Sequence, residues 1–139
     1  MKQRVPVEEI MTTRLVTINL TNTLYDAERL FKQHKIRHIP VVDGRQIIGV
    51  LSYSDLLKIS YADVLDDEEN VSSVVYDMYS ISQVMAKVVV KALPTATIKD
   101  VTEILAKQSF HSLPIVDEEG NLVGIVTTTD LLNYFLSQY

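Results

Sequence analysis

A chain of 139 residues with 47% hydrophobic and 22% charged residues has the composition of a soluble globular protein of about one ordinary domain. Cysteine is absent, which excludes disulfides, thiolate metal sites and cysteine nucleophiles. No apolar run approaches the roughly 18 residues of a membrane span, and the start MKQRVPVEEIM has no secretory h-region, so a cytoplasmic protein without membrane insertion is expected. Thirteen basic against eighteen acidic residues give a net charge of −5; six of the acids gather between Lys58 and Ser80, which leaves no basic face for nucleic acid.

In chain order, a short extended piece is expected at Leu15 to Ile18. A helix follows, with Leu24, Ala27, Leu30 and Phe31 spaced to build one buried face. Thr23 and Asp26 mark its start: the hydroxyl satisfies an orphan backbone N–H and the acid sits at the positive helix end. His34, near the end of this helix, suits the negative end of the dipole. Two apolar strands, IPVV and IIGVLS, then flank the turn DGRQ, and a second helix begins at Ser54. The stretch YADVLDDEENVSSVVYDMYS is too long for a tight turn. It reads as a solvated helix extension with a connector, or as a docking or gating element, because its valines, Tyr76, Met78 and Tyr79 need cover. The series then recurs: an extended piece at Val88 to Ala92, a helix with Ile98, Val101, Ile104 and Leu105 opened by Thr97 and Asp100, strands LPIV and LVGIVT around DEEGN, and a helix from Thr129.

The recurrence is a repeat in register. Met11 and Met85, Thr23 and Thr97, Asp26 and Asp100, Pro40 and Pro114, and Asp43 and Asp117 each lie 74 positions apart. After one inserted residue the offset becomes 75, matching Gly49 with Gly124, Asp55 with Asp130 and Leu56-Leu57 with Leu131-Leu132. Each copy reads β-α-β-β-α. One copy buries too little surface to be stable alone, so the expected architecture is an α/β (α+β) fold of two repeats packed sheet to sheet about a pseudo-twofold axis, with two equivalent clefts. The boundaries fall at 1–65 for the first repeat, 66–79 for the acidic linker and 80–139 for the second repeat.

These residues resemble the tandem cystathionine-beta-synthase (CBS) domain pair, or Bateman module. The resemblance covers Val7 to Phe135 and rests on the IM-x-(8 to 11)-T-x-x-D opening, the H/S-[IL]-P-[VI]-V-D strand, and the closing motifs GVLSYSDLL and GIVTTTDLL. It implies a regulatory module, without catalytic activity or a required cofactor, that binds an adenosine ligand: AMP, ADP or ATP, with S-adenosylmethionine the lesser choice. Carried over residue by residue, one site combines Thr127, Thr129 and Asp130 with Thr13, Val16, Ile36, Arg37 and His38. The other combines Ser52, Ser54 and Asp55 with Lys87, Val90, Phe110, His111 and Ser112. A homodimer and a separate effector protein are implied as partners.

The residue chemistry bears on those roles. A carboxylate accepts two hydrogen bonds from a vicinal ribose diol, which suits Asp55 and Asp130. Hydroxyls beside free N–H groups at a helix start suit ribose or phosphate oxygens. Glycine in the preceding strand permits a close backbone approach or a bulge. Val16, Ile36, Val90 and Phe110 have the character to sandwich an adenine ring, and Arg37, His38 or His111 to meet phosphates. The same S/T-x-x-D spacing also serves plain helix capping, and Arg37 also suits a surface salt bridge. Arg14 lies near Arg37 in the first grouping, where the other has His111 and Val88. Unequal sites are therefore expected, with the Arg37 site favouring the more phosphorylated nucleotide. Three scattered histidines lack metal-site spacing. Two further classes stay open: a dimerising interaction scaffold that has lost its ligand, against which both motif acids argue, and an enzyme, for which no nucleophile-base pair or phosphate loop is visible.

Overall fold

The computed structural model describes residues 4–62, 76–87, 90–108 and 111–139. Positions 66–75 of the 66–79 acidic linker, and Phe110, lie outside the described residues. Two compact units form, and each combines parts of both sequence repeats: Val16–Val88, and Met1–Leu15 together with Val89–Tyr139.

In the first-repeat unit, helix α1 (Leu24–His34) begins with a reciprocal cap, Asp26 N–H donating to Thr23 Oγ1 at 3.2 Å and Thr23 N–H to Asp26 Oδ2 at 2.9 Å. Leu24, Ala27 and Phe31 are buried and Leu30 packs against them, as the helical spacing requires. The helix ends at Lys35, held at φ 54° in the left-handed region. Strands β1 (His38–Asp43) and β2 (Gln46–Ser52) are antiparallel and longer than IPVV and IIGVLS, so the turn shrinks to Gly44-Arg45. Gly44 has φ 62°, a conformation glycine adopts without a Cβ penalty. Helix α2 (Tyr53–Ala62) follows β2 directly, one residue earlier than expected. Helix α3 (Ile81–Val84) leads into β3 (Ala86–Lys87), which pairs antiparallel with β2 at Gly49 and Val50. The extended piece at Leu15 to Ile18 contributes one parallel bridge, Ile18 to Val41. Ile39, Val41, Leu51, Leu56 and Ile81 complete the core.

Tyr76 is also buried there, edge-on to Tyr25 at 5.1 Å, with its hydroxyl donating to Glu28. Burial, with the Glu28 carboxylate beside it, raises its phenol above the ordinary range. Burial works to raise the Glu28 carboxyl, but hydrogen bonds from Tyr76 and Lys32 hold it below its usual value.

The second-repeat unit repeats this pattern. Helix α4 (Ile98–Lys107) carries the same reciprocal cap from Thr97 and Asp100; strands β4 (Ser112–Val116) and β5 (Leu122–Thr127) form a hairpin, and helix α5 (Thr128–Ser137) closes it. Ala92 bridges Ile115 in parallel, as Ile18 bridges Val41. The N-terminal segment completes this unit. A 3-10 turn at Val7–Glu9 places Val7 wholly inside the core with Val101, Leu113 and Val126, and Val7 N–H donates to Ala96 C=O at 2.7 Å. Thr12 exchanges two main-chain hydrogen bonds with Ile125, at 2.8 and 3.0 Å.

The opening segments of the repeats are thus exchanged. Residues 5–12 build onto the hairpin of the second repeat, and residues 81–87 onto that of the first. The two strand glycines serve this exchange. A Cβ at Gly124 would lie 2.5 Å from Met11 Sδ, and one at Gly49 would lie 2.4 Å from Met85 Sδ, so each methionine sits where a side chain would otherwise project. A β-bulge adjoins each glycine, leaving Ile48 and Val123 unpaired in the ladders.

Candidate functional site

Each closing motif crosses from the end of a strand into the first turn of a helix, where backbone N–H groups lack intrahelical partners. At the second motif, Thr127 caps α5: Asp130 N–H donates to Thr127 Oγ1 at 3.1 Å, and Thr127 N–H donates to Asp130 Oδ2 at 2.9 Å. This turns the half-buried Asp130 carboxylate back over the helix start. Thr129, one residue earlier, is exposed. Thr128 N–H donates to His111 C=O at 3.0 Å, and Ser112 pairs with Thr127 across the hairpin.

The first motif is built alike in backbone and differently in side chains. Asp55 N–H donates to Ser52 Oγ at 3.0 Å, but the return bond is missing, and the Asp55 carboxylate accepts no hydrogen bond from a described residue. Ser54 is exposed. Tyr53 N–H donates to Arg37 C=O at 2.9 Å, and His38 pairs with Ser52. Lys87 pairs with Gly49 on the far side of β2, exposed at the edge of the sheet.

The hairpins show which residues adjoin each motif within its own unit. Arg37 and His38 were placed with the Asp130 motif, and His111 and Ser112 with the Asp55 motif. In an antiparallel hairpin the start of the first strand must lie against the end of the second. Arg37 and His38 therefore adjoin their own unit's Ser52 and Tyr53, and His111 and Ser112 adjoin Thr127 and Thr128. Thr13 and Lys87 keep the motifs assigned to them, because each follows a residue that pairs with the strand preceding that motif. Ile36 packs on the core of the first-repeat unit. Val90 packs on that of the second, where it borders an open depression of about 380 Å³ lined by Asp100, Glu103, Ile104, Lys107 and Gln108. Val16, half-buried, belongs to the first-repeat unit.

Thr12 was not singled out from the sequence. Its hydroxyl donates to both Asp130 oxygens, at 3.3 and 3.4 Å. The signal lay in the repeat alignment, which sets Thr12 against Ala86. Each motif thus offers hydroxyls, a carboxylate able to accept from paired hydroxyls, and first-turn N–H donors for an anionic oxygen. Among the described residues, no group of three or more His, Asp or Glu side chains is placed to hold a metal ion, and no helix is long and apolar enough to cross a membrane.

Comparison with known proteins bears on this arrangement. The CBS domain profile matches residues 7–62 and 81–137. Protein MJ0188 of Methanocaldococcus jannaschii is 35% identical over 128 residues, covering 92% of this chain and 43% of its own, so the present chain spans less than half of that relative. Among solved structures, CBSX2 in complex with AMP superposes with a TM-score of 0.79 at 24% identity, over 96% of this chain and 97% of that one; CBSX2 is a protein of Arabidopsis thaliana. The CBS domain pair of MJ0100, in complex with 5-methylthioadenosine and S-adenosyl-L-methionine, superposes with a TM-score of 0.78 at 22% identity, over 97% and 98%. The twofold β-α-β-β-α pattern, the matched closing motifs and a profile match to both halves converge on one assignment: the chain belongs to the CBS-domain family, as a tandem pair or Bateman module.

Proposed function

We propose that this chain is a regulatory module, without catalytic activity of its own, that binds an adenosine nucleotide and passes the occupancy to a separate partner protein. The observation that carries the reading is the duplicated closing motif. In both units an aspartate is set in the first turn of a helix beside hydroxyls, and the capping and hairpin bonds there leave the backbone N–H of Ser54 or Thr129 without an intrahelical acceptor, which gives donors and acceptors of the kind a ribose and its phosphate need. Structures of similar fold bound to AMP, and to S-adenosyl-L-methionine with 5-methylthioadenosine, support the ligand class. AMP, ADP and ATP are the preferred candidates and S-adenosylmethionine the lesser one.

The neighbours of each motif within its own unit bear on the expected inequality. The Asp55 motif has Arg37, His38 and Lys87 on the segments that adjoin it, whereas the Asp130 motif has His111, Thr13 and Arg14. The Asp55 motif is therefore the one we assign to the more phosphorylated nucleotide. A ligand shifts a conformational equilibrium only by its differential affinity for the two states, so regulation requires two arrangements that bind the nucleotide unequally.

Thermal unfolding with AMP, ADP, ATP and S-adenosylmethionine tests the reading. A ligand at a hundred times its dissociation constant adds about 2.7 kcal/mol, a rise of several degrees for a chain of this size. The rise should be confined to adenosine ligands and reduced by Asp55→Ala or Asp130→Ala. One observation favours the second reading, an interaction scaffold: Leu132 and Leu136 on α5 are 58% and 71% exposed, and Tyr139, just beyond the helix, is fully so, apolar surface suited to a homodimer contact. No shift with any nucleotide would move the assignment to that reading.

A further inference from the structure

The two motifs differ in how their carboxylates are held. Asp130 Oδ2 accepts Thr127 N–H at 2.9 Å, and the Thr12 hydroxyl donates to both oxygens at 3.3 and 3.4 Å. Thr12 is itself fixed. Two main-chain hydrogen bonds tie it to Ile125, and its neighbour Met11 is seated on Gly124. Asp55 has neither support: Ser52 N–H makes no return bond to it, and the residue aligned with Thr12 is Ala86, which has no hydroxyl.

A vicinal diol donates one hydrogen bond to each carboxylate oxygen, so it is read best by a carboxylate whose plane is set before the ligand arrives. A carboxylate offers about four lone-pair sites, and Thr127 and Thr12 leave room on both oxygens of Asp130. The long, bifurcated Thr12 bond is also weak, so it orients the group without outcompeting an incoming hydroxyl.

We infer that Thr12 is a positioning residue that sets the Asp130 carboxylate to read a ribose diol, so that the Asp130 site discriminates ribose from deoxyribose more sharply than the Asp55 site. This rests on the nucleotide-binding reading above and concerns how one of its two sites selects the sugar.

The test is the ratio of affinities for AMP and 2′-deoxy-AMP, measured by calorimetry. With Asp55→Ala isolating the Asp130 site, Thr12→Val should lower that ratio about three- to tenfold, the worth of one hydrogen bond, and Thr12→Ser should restore it. A purely structural role would weaken both ligands equally and leave the ratio unchanged. The converse arm does not depend on Thr12→Val folding well: with Asp130→Ala isolating the Asp55 site, Ala86→Thr should raise the ratio. AMP binding that requires Asp130 but keeps the same ratio in Thr12→Val and Ala86→Thr overturns this inference alone. Absence of AMP binding in the folded wild-type chain overturns the functional reading and the inference with it.

Discussion

Adding one methyl group at each of the two strand glycines tests the exchanged architecture, because the two sites should respond differently. A Cβ at Gly49 would meet Met85 Sδ at 2.4 Å and the Ala86 carbonyl oxygen at 2.9 Å. The thioether can swing aside on its three rotatable bonds. The carbonyl cannot, because Ala86 belongs to β3 and is paired with Val50. At Gly124 the three nearest atoms all belong to the Met11 side chain: Sδ at 2.5 Å, Cγ at 2.9 Å and Cε at 3.2 Å. Overpacking typically costs about 1–3 kcal/mol, and replacing glycine by alanine returns about 0.4–1 kcal/mol through the unfolded chain. Gly49→Ala should therefore destabilise by about 2 kcal/mol and Gly124→Ala by about 1 kcal/mol or less. Urea denaturation of the single and double variants resolves these values. Coupling Gly124→Ala with Met11→Ala should recover most of the loss, since the methionine supplies the three nearest contacts; coupling Gly49→Ala with Met85→Ala should recover only part. Equal losses at both glycines, or no coupling between Gly124 and Met11, would refute the placement of the opening segments.

Three further outcomes follow from named contacts. Val7→Ala removes two methyl groups from the core of the second-repeat unit and should cost about 2 kcal/mol; hydrogen exchange should quicken in β4 and β5 and stay slow in β1 and β2, and a uniform response would be inconsistent with Val7 serving the second repeat. The Glu28 carboxyl is held below its ordinary value of 4.5 by Tyr76 and Lys32 against the effect of burial, and the Asp26 carboxyl below 3.8 by its backbone bond to Thr23. Depressed folded values make these contributions present above the ordinary values and lost as pH falls through the folded ones, so an acid-denaturation series from pH 5 down to pH 2 should show a shallower decline in Glu28→Gln than in wild type; identical slopes would remove Glu28 from the account. Arg37→Ala, measured with Asp130→Ala isolating the Asp55 site, should weaken ATP binding more than AMP binding, and equal losses for the two would return Arg37 to a role outside the phosphate site.

What was legible in the sequence was mostly local. The caps at Thr23 and Thr97, the apolar face of α1 and the glycine turns are decided within a few residues, and each appears where periodicity and turn chemistry placed it. The repeat made the β-α-β-β-α order readable twice over. The exchange of opening segments was not legible, because the pairing of Thr12 with Ile125 is a contact between distant parts of the chain that no local pattern encodes. The placing of Arg37 and His38 beside Ser52 and Tyr53 has the same character: it is set by hairpin register, not by any local pattern. Capping spacing also concealed a difference. Ser52-x-x-Asp55 and Thr127-x-x-Asp130 read alike, yet only the threonine forms the reciprocal cap and only Asp130 has Thr12 beside it.

Equilibrium dialysis of AMP against the wild-type chain, Asp55→Ala, Asp130→Ala and the double variant tests the central claim most directly. The account predicts saturable binding at two sites of unequal affinity, one lost with each single substitution and both lost in the double variant, while far-ultraviolet circular dichroism and cooperative unfolding are retained. Binding that is absent from the folded wild-type chain, or that persists undiminished in the double variant, would contradict it.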